Sequence, residues 1–303
     1  MKVLVTGASG FIGRHCVAQL HAKGYEVHAV SSAMRDAPPG VTWHGADLLA
    51  DGEAAGLVRR IGATHLLHLA WCTQPGKYWT ALENFDWLRA SLAMIQAFTA
   101  IGGKRLVAAG TCAEYDWHGG GICAEATTPL VPGTLYGSSK HALQLQLAAW
   151  SRQTGLSSAW GRVFSLYGPH EHPQRLMAST ISSLMDGNTA TCGNPGLVRD
   201  YLHAEDVASA FVALLECELA GPVNIGSGHG VALGDIVTAI GQKLGAVDRV
   251  RLPSVSVRGT EPALLVAETS KLALTGWTPK FDLDRGLDDT IAWWRAQPRA
   301  TLR

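Results

Sequence analysis

The chain has 303 residues, 47% of them hydrophobic, and its 25 basic residues balance 25 acidic ones. That length can bury a large α/β core, the apolar share excludes a disordered chain, and zero net charge supplies no field to draw it to nucleic acid or an anionic membrane. The six cysteines (Cys16, Cys72, Cys112, Cys123, Cys192 and Cys217) lack metal-type spacing, and no stretch reaches the ~18 apolar residues of a membrane span, so a reducing, cytoplasmic setting is expected.

The first half alternates two periods. "KVLVTG" (2–7) reads as a strand and 12–23 as a helix. "EVHAVS" (26–31) and "TWHGAD" (42–47) are the next strands, followed by a helix around 53–61. Strands at 65–70 and 105–111 flank a long helix at about 80–100. A helix beginning near Tyr136 leads to a strand at 157–164. Such βαβ alternation implies a doubly wound parallel sheet with helices on both faces.

After Gly168 the pattern changes to a Pro-rich loop, a helix near 175–186, short strands, and amphipathic helices at "LGDIVTAIGQKLG" and "LDRGLDDTIAWWRAQ". The expected organisation is a dinucleotide-binding domain over 1–168, with 204–220 returning to it. A smaller mixed C-terminal substrate domain is expected over 169–203 and 221–303.

Gly7, Gly10 and Gly13 sit between the first strand and first helix, spaced GxxGxxG. Glycine there permits a tight turn, approach of a pyrophosphate to backbone, and close helix–sheet packing, and the helix N-terminus offers free N–H groups to phosphate. Asp47 can accept a hydrogen bond from an adenine amino group, or can simply form a turn. At the end of the second strand the chain reads "VSSAMRD", without the immediate carboxylate that would bind a ribose 2′-hydroxyl. Ser31, Ser32 and Arg35 suit a 2′-phosphate instead, which favours NADP over NAD, with Asp36 as the residue that counts the other way.

Tyr136 and Lys140 are spaced i, i+4, on one helical face. A phenol titrates near 10 and is a poor base at neutral pH; a neighbouring ammonium is expected to lower that value and make the tyrosine a proton-transfer group.

"TGASGFIG", "YGSSK", "GRVFSLYGP" and "RDYLHAEDVASA", in this order, resemble the extended short-chain dehydrogenase/reductases, in the branch of nucleotide-sugar epimerases, dehydratases and reductases. The resemblance implies a Rossmann-type sheet and a catalytic set of Thr111, Tyr136 and Lys140. It extends the cofactor set to Ser9, Phe11, Ile12, Leu48, Leu69, Ala70 and Phe164, alongside Tyr136 and Lys140 themselves. It places substrate contacts at Trp71, Thr111, Ser165, Arg199 and Arg258, the two arginines gripping a diphosphate. The sugar 4,6-dehydratases of this branch follow the threonine with Asp and Glu; here Cys112 and Ala113 stand there, and Glu114 is one step out of register. GDP-fucose synthases use a cysteine at the position of Ala113. Two departures bear on the sugar contacts: Ser165 and Trp87 replace asparagines common in the family.

The expected activity is therefore reduction of a 4-keto-(6-deoxy)hexose nucleotide by NADPH. An NAD-dependent nucleotide-sugar 4-epimerase is the first alternative, and a non-catalytic dinucleotide-binding sensor or scaffold the second. No metal is expected: "HEH" at 170–172 is a poor ligand set, and His170 and His172 are candidates for the sugar pocket. Trp71, Trp79 and Trp87 are expected near the cofactor mouth. The resemblance also implies a homodimer through the long helix and the Tyr136 helix, where Leu143, Leu147 and Trp150 form a stripe that fits a partner or the core facing the sheet equally well.

Overall fold

Strands buried on both faces read as near-continuous apolar runs, and those runs build the main sheet of this computed structural model, which describes residues 1–34, 39–253 and 261–298. The strands are β1 (Lys2–Thr6), β2 (Glu26–Ser31), β3 (Val41–Gly45), β4 (His65–His68), β5 (Arg105–Thr111), β6 (Ser157–Val163) and β7 (Gly221–Ile225). Their order is β7-β6-β5-β4-β1-β2-β3, and every neighbouring pair is parallel. The connection reverses between β1 and β4, which opens a crevice at the carboxyl ends of the strands.

Alternate side chains enter two cores. Leu4, Leu66 and Leu106 face helices α2 (Glu53–Ile61), α3 (Glu83–Ala100) and α4 (Leu135–Thr154), meeting Leu57, Met94, Phe98 and Leu147. Val3, Val5, Leu67 and Val107 face α1 (Gly13–Ala22) and the helix Ala204–Glu216, meeting Leu20, Val207, Phe211 and Leu214. Leu143 and Leu147 are buried in the first core. Their stripe is a sheet-facing seam, not an outward one, because that face of α4 covers the sheet.

A second sheet runs in the order Gly230–Ala232, Val198–His203, Leu264–Ala267, Gly121–Cys123, and Ser165–Tyr167 also pairs with Val198–His203. The helices Leu176–Met185, Leu233–Lys243 and Leu283–Ala296 form a separate core around Met177, Ile181, Ile240, Leu287 and Trp294. Two boundaries differ from the sequence reading. The return of the chain to the main sheet extends past 220, because Val223 and Ile225 are buried along β6. Gly121–Cys123 joins the second sheet, although three residues are too few to show a period.

The three strands at one end of the main sheet are tied by a buried carboxylate. Glu114 Oε2 accepts from Arg162 Nε at 2.9 Å, with both side chains fully buried. Its Oε1 accepts from Trp160 Nε1 at 2.8 Å and from the Thr111 backbone N–H at 2.9 Å. Arg162 also donates to the Tyr115 hydroxyl, which in turn donates to Asn224 Oδ1 on β7 at 2.7 Å. Arg162→Leu leaves the Glu114 charge buried without its cation, and a loss of about 3–5 kcal/mol is expected. Urea unfolding of the variant checks this; a midpoint equal to that of the unsubstituted protein would contradict it.

Candidate functional site

A cavity of about 640 Å³ fills the crevice. Its floor is the glycine loop. Gly7 has φ +66°, and a Cβ there would lie 2.8 Å from the Ala70 backbone nitrogen. A Cβ at Gly13 would run into the Gly7 carbonyl. Side chains are thus excluded by backbone at both positions, and α1 starts with no side-chain cap at Ile12; the Arg14, His15 and Cys16 N–H groups bond the Gly10 and Ile12 carbonyls, which leaves the N–H groups of Phe11, Ile12 and Gly13 for another acceptor. This cradle fits a dinucleotide diphosphate.

A buried polar chain fixes the opposite side of the loop. Ser91 Oγ donates to the Trp87 carbonyl and so accepts from His68 Nε2 at 2.8 Å. His68 Nδ1 then accepts from Thr6 Oγ1 at 2.7 Å, and Thr6 Oγ1 accepts from the Ala70 N–H at 3.2 Å. Burial pushes the imidazole down to about 3, so the ring stays neutral and can play both roles.

Every expected cofactor position within the described residues lines this cavity: Gly7, Ser9, Gly10, Phe11, Ile12 and Gly13 from the loop, Ser31, Ser32, Asp47 and Leu48 beyond β2 and β3, and Leu69, Ala70, Tyr136, Lys140 and Phe164 around the far side. Arg35 lies outside the described residues. β3 ends at Gly45, so Asp47 sits in the turn after it, where its Oδ1 accepts the Leu49 N–H at 3.0 Å. Ser31 is buried and donates to the Ala33 carbonyl.

Thr111 ends β5, and α4 brings Tyr136 beside it. Gly137 makes this approach possible, since a Cβ there would strike the Ala113 carbonyl. The Thr111 side chain neighbours the Tyr136 hydroxyl. The Lys140 ammonium donates to the Ala109 carbonyl at 2.8 Å and lies 3.9 Å from the Trp71 ring centroid. The expectation of a lowered phenol value is not met in this cavity. Burial and then the adjacent Tyr78 hold Tyr136 well above the ordinary phenol range, the Thr111 side chain acting in the opposite direction. Burial also pulls Lys140 down to about 7.

Trp71, Ser165 and Arg199 line the other end, while Arg258 lies outside the described residues. Arg199 is tied down: it donates to Glu261 Oε2 at 2.8 Å and to the Pro262 carbonyl at 2.8 Å. His170 and His172 do not line the cavity. His170 has φ +72° and packs on Trp293 at 4.5 Å, His172 is exposed, and Glu171 between them is the lining residue of that loop. Burial raises the Glu171 carboxyl to about 8. Trp71, Trp79 and Trp87 all reach the cavity as expected, and Tyr78, Trp117 and Arg175, which the sequence reading passed over, join them. The pairing of Tyr78 and Trp79 in "KYW" and the "EYDW" after Thr111 were the only local signals.

The model of the NAD dependent epimerase/dehydratase family matches residues 3–226. The chain belongs to that family. It is 26% identical to the dTDP-glucose 4,6-dehydratase of Actinoplanes sp., covering 98% of each chain. It is 27% identical to the UDP-glucose 4-epimerase of Corynebacterium glutamicum, covering 97% of this chain and 95% of that one. The crystal structure of the Thermus thermophilus UDP-glucose 4-epimerase in complex with NAD superposes with a TM-score of 0.85 at 28% identity, covering 98% of this chain and 99% of that one.

For this epimerase/dehydratase family member, Lys140 sets a stability cost with a definite sign. The unfolded lysine holds its proton to about 10.4, while the folded one releases it near 7. Between these values the unfolded state binds more protons, so this group's contribution to stability rises with pH and its cost is greatest below 7. Lys140→Met is expected to raise the melting temperature by several degrees at pH 6 and by clearly less at pH 9. Calorimetry at both values checks this; a larger gain at pH 9 would contradict it.

Proposed function

We propose that the protein transfers hydride at C4 of a nucleotide sugar without eliminating water, and that it acts as an NADPH-dependent reductase of 4-keto-(6-deoxy)hexose nucleotides. One observation carries this reading. The positions that would supply an elimination pair are Cys112, whose thiol burial pushes up to about 12, and Ala113, which has no titratable group. Glu114, the carboxylate that follows them, is fully buried against Arg162 and Trp160 and does not line the cavity. What remains beside that position is Thr111, Tyr136 and Lys140, a hydride-transfer set; Glu171, an acid farther along the cavity, comes from the loop after residue 168 and not from the segment after Thr111.

A nicotinamide cofactor held by the glycine loop and Lys140 would supply the hydride. Tyr136, kept protonated by its surroundings, gives its proton to the C4 oxygen as the carbonyl becomes a carbinol. Thr111 donates a hydrogen bond to the same oxygen and orients it. Lys140 steadies the phenolate that results and holds the ribose. Support for NADP is the pair Ser31 and Ser32 where a ribose-binding carboxylate would stand; NAD is the alternative.

A second reading, the NAD-dependent 4-epimerase, is favoured by the 27–28% identity to UDP-glucose 4-epimerases along nearly the whole chain. It uses the same three residues but recycles its cofactor. We also infer a homodimer through α3 and α4, where Phe85 and Leu145 are exposed, and a reducing, cytoplasmic setting, in keeping with six unpaired cysteines.

Incubation with a 4-keto-6-deoxyhexose nucleotide and NADPH is expected to consume the reduced cofactor stoichiometrically. Tyr136→Phe should lower turnover by about two to four orders of magnitude with cofactor affinity retained. Turnover in that variant close to the unsubstituted rate would end the proposal, and interconversion of two hexose nucleotides without net consumption of cofactor would establish the epimerase.

A further inference from the structure

The cavity carries an aromatic surface that the hydride-transfer residues leave unused. Tyr78, Trp79 and Trp117 line it next to Tyr136. The rings of Tyr78 and Trp79 stand edge-on to that of Tyr136, with centroids 4.9 and 5.7 Å away, and Trp117 meets Trp79 at 5.9 Å. The wall and the phenol share one framework, since the Tyr136 backbone N–H donates to the Trp79 carbonyl at 3.1 Å.

Two of the indole N–H groups at this wall are turned to protein partners. Trp117 Nε1 donates to the Cys112 carbonyl at 3.1 Å, and the Arg175 guanidinium lies over the Tyr78 ring, 5.8 Å from its centroid. Farther along, Trp71 Nε1 donates to Asn84 at 2.8 Å. The rings therefore offer mainly carbon to whatever lies beside the reacting position. Ring carbon gains contact with C–H and methyl groups. A sugar hydroxyl pressed against it gives up water partners with no replacement, and a carboxylate loses far more.

We propose that this wall makes the protein selective for a nucleotide sugar deoxygenated on the edge beside C4, a 6-deoxyhexose above all, and against fully hydroxylated hexoses and hexuronic acids. The inference rests on the reading that the cavity takes a nucleotide sugar at Tyr136. It deepens that reading by assigning the choice of sugar to Tyr78, Trp79 and Trp117. The methyl group of the 6-deoxy sugar packs on the rings, whose carbon faces give a 6-hydroxyl no acceptor to replace water.

Calorimetric titration of the NADPH-saturated protein tests this without turnover. The probes are matched pairs, a hexose and its 6-deoxy counterpart on the same nucleoside diphosphate, with uridine, thymidine, cytidine and guanosine used in turn. With the base that binds, the 6-deoxy member is expected to bind about tenfold or more tighter. Trp79→Leu and Trp117→Leu should each shrink that ratio severalfold, while affinity for the nucleoside diphosphate alone stays unchanged and so reports an intact fold. Equal affinity for the two members in the unsubstituted protein, or a ratio undiminished in both variants, would overturn the proposal. A preserved ratio with no NADPH oxidation on any 4-keto sugar would end the reductase reading and leave the wall's role standing. Failure of every pair to bind would end both.

Discussion

The buried carboxylate of Glu114 holds the site together. It takes the Thr111 backbone N–H, the Trp160 indole and the Arg162 guanidinium at once, so the end of β5 is locked to β6 before any ligand arrives. Thr111 is the N-cap of the short turn that contains Glu114, and its hydroxyl accepts the Ala113 N–H at 3.2 Å. A strand end held by an ion pair in the protein interior cannot drift by the ångström that would separate Thr111 from Tyr136. Breaking such a pair is costly because the surviving charge stays buried. The same commitment withdraws Glu114 from chemistry: a carboxylate that organises three strands is not available as an acid or base for a substrate.

The opposite trade holds at Lys140 and Tyr136. Burial disfavours the charged form of each, and the Ala109 carbonyl and the Trp71 face compensate the ammonium only in part. The protein bears an electrostatic cost here that a purely structural core would avoid. The result is a phenol held in its protonated form and an amine poised near neutrality. Functional groups held in this way are a common reason that natural proteins stop short of their greatest stability. Glu114 is a charge stabilised by full pairing, and Lys140 is a charge left partly unpaired for use.

How much of this was legible in the sequence follows from how local each requirement is. Gly7, Gly10 and Gly13 lie three residues apart and Tyr136 and Lys140 lie one helical turn apart, so their spacing showed the glycine loop and the tyrosine–lysine pair directly. Arg199 looked like a free diphosphate ligand because its partner Glu261 is 62 residues away. Glu114 looked merely out of register because Arg162 is 48 residues away. The aromatic wall joins residues 78 and 79 to residue 117, and nothing in either segment announces the other. His170 drew attention by its chemistry, but its φ of +72° turns it onto Trp293 and gives the cavity to Glu171. β7 and the strand Gly121–Cys123 were missed because short strands take their identity from the neighbour they pair with.

The central claim is that hydride reaches C4 and that nothing is eliminated. It is tested most directly by supplying NADPH with deuterium at the transferable position of the nicotinamide together with a 4-keto-6-deoxyhexose nucleotide, in ordinary water, and locating the label in the product by NMR. The account predicts one deuterium at C4 per cofactor consumed. It also predicts that an unmodified hexose nucleotide run in heavy water takes up no solvent deuterium at C5 or C6. A product without label at C4, or solvent deuterium entering C5 or C6 as water is lost, would contradict it.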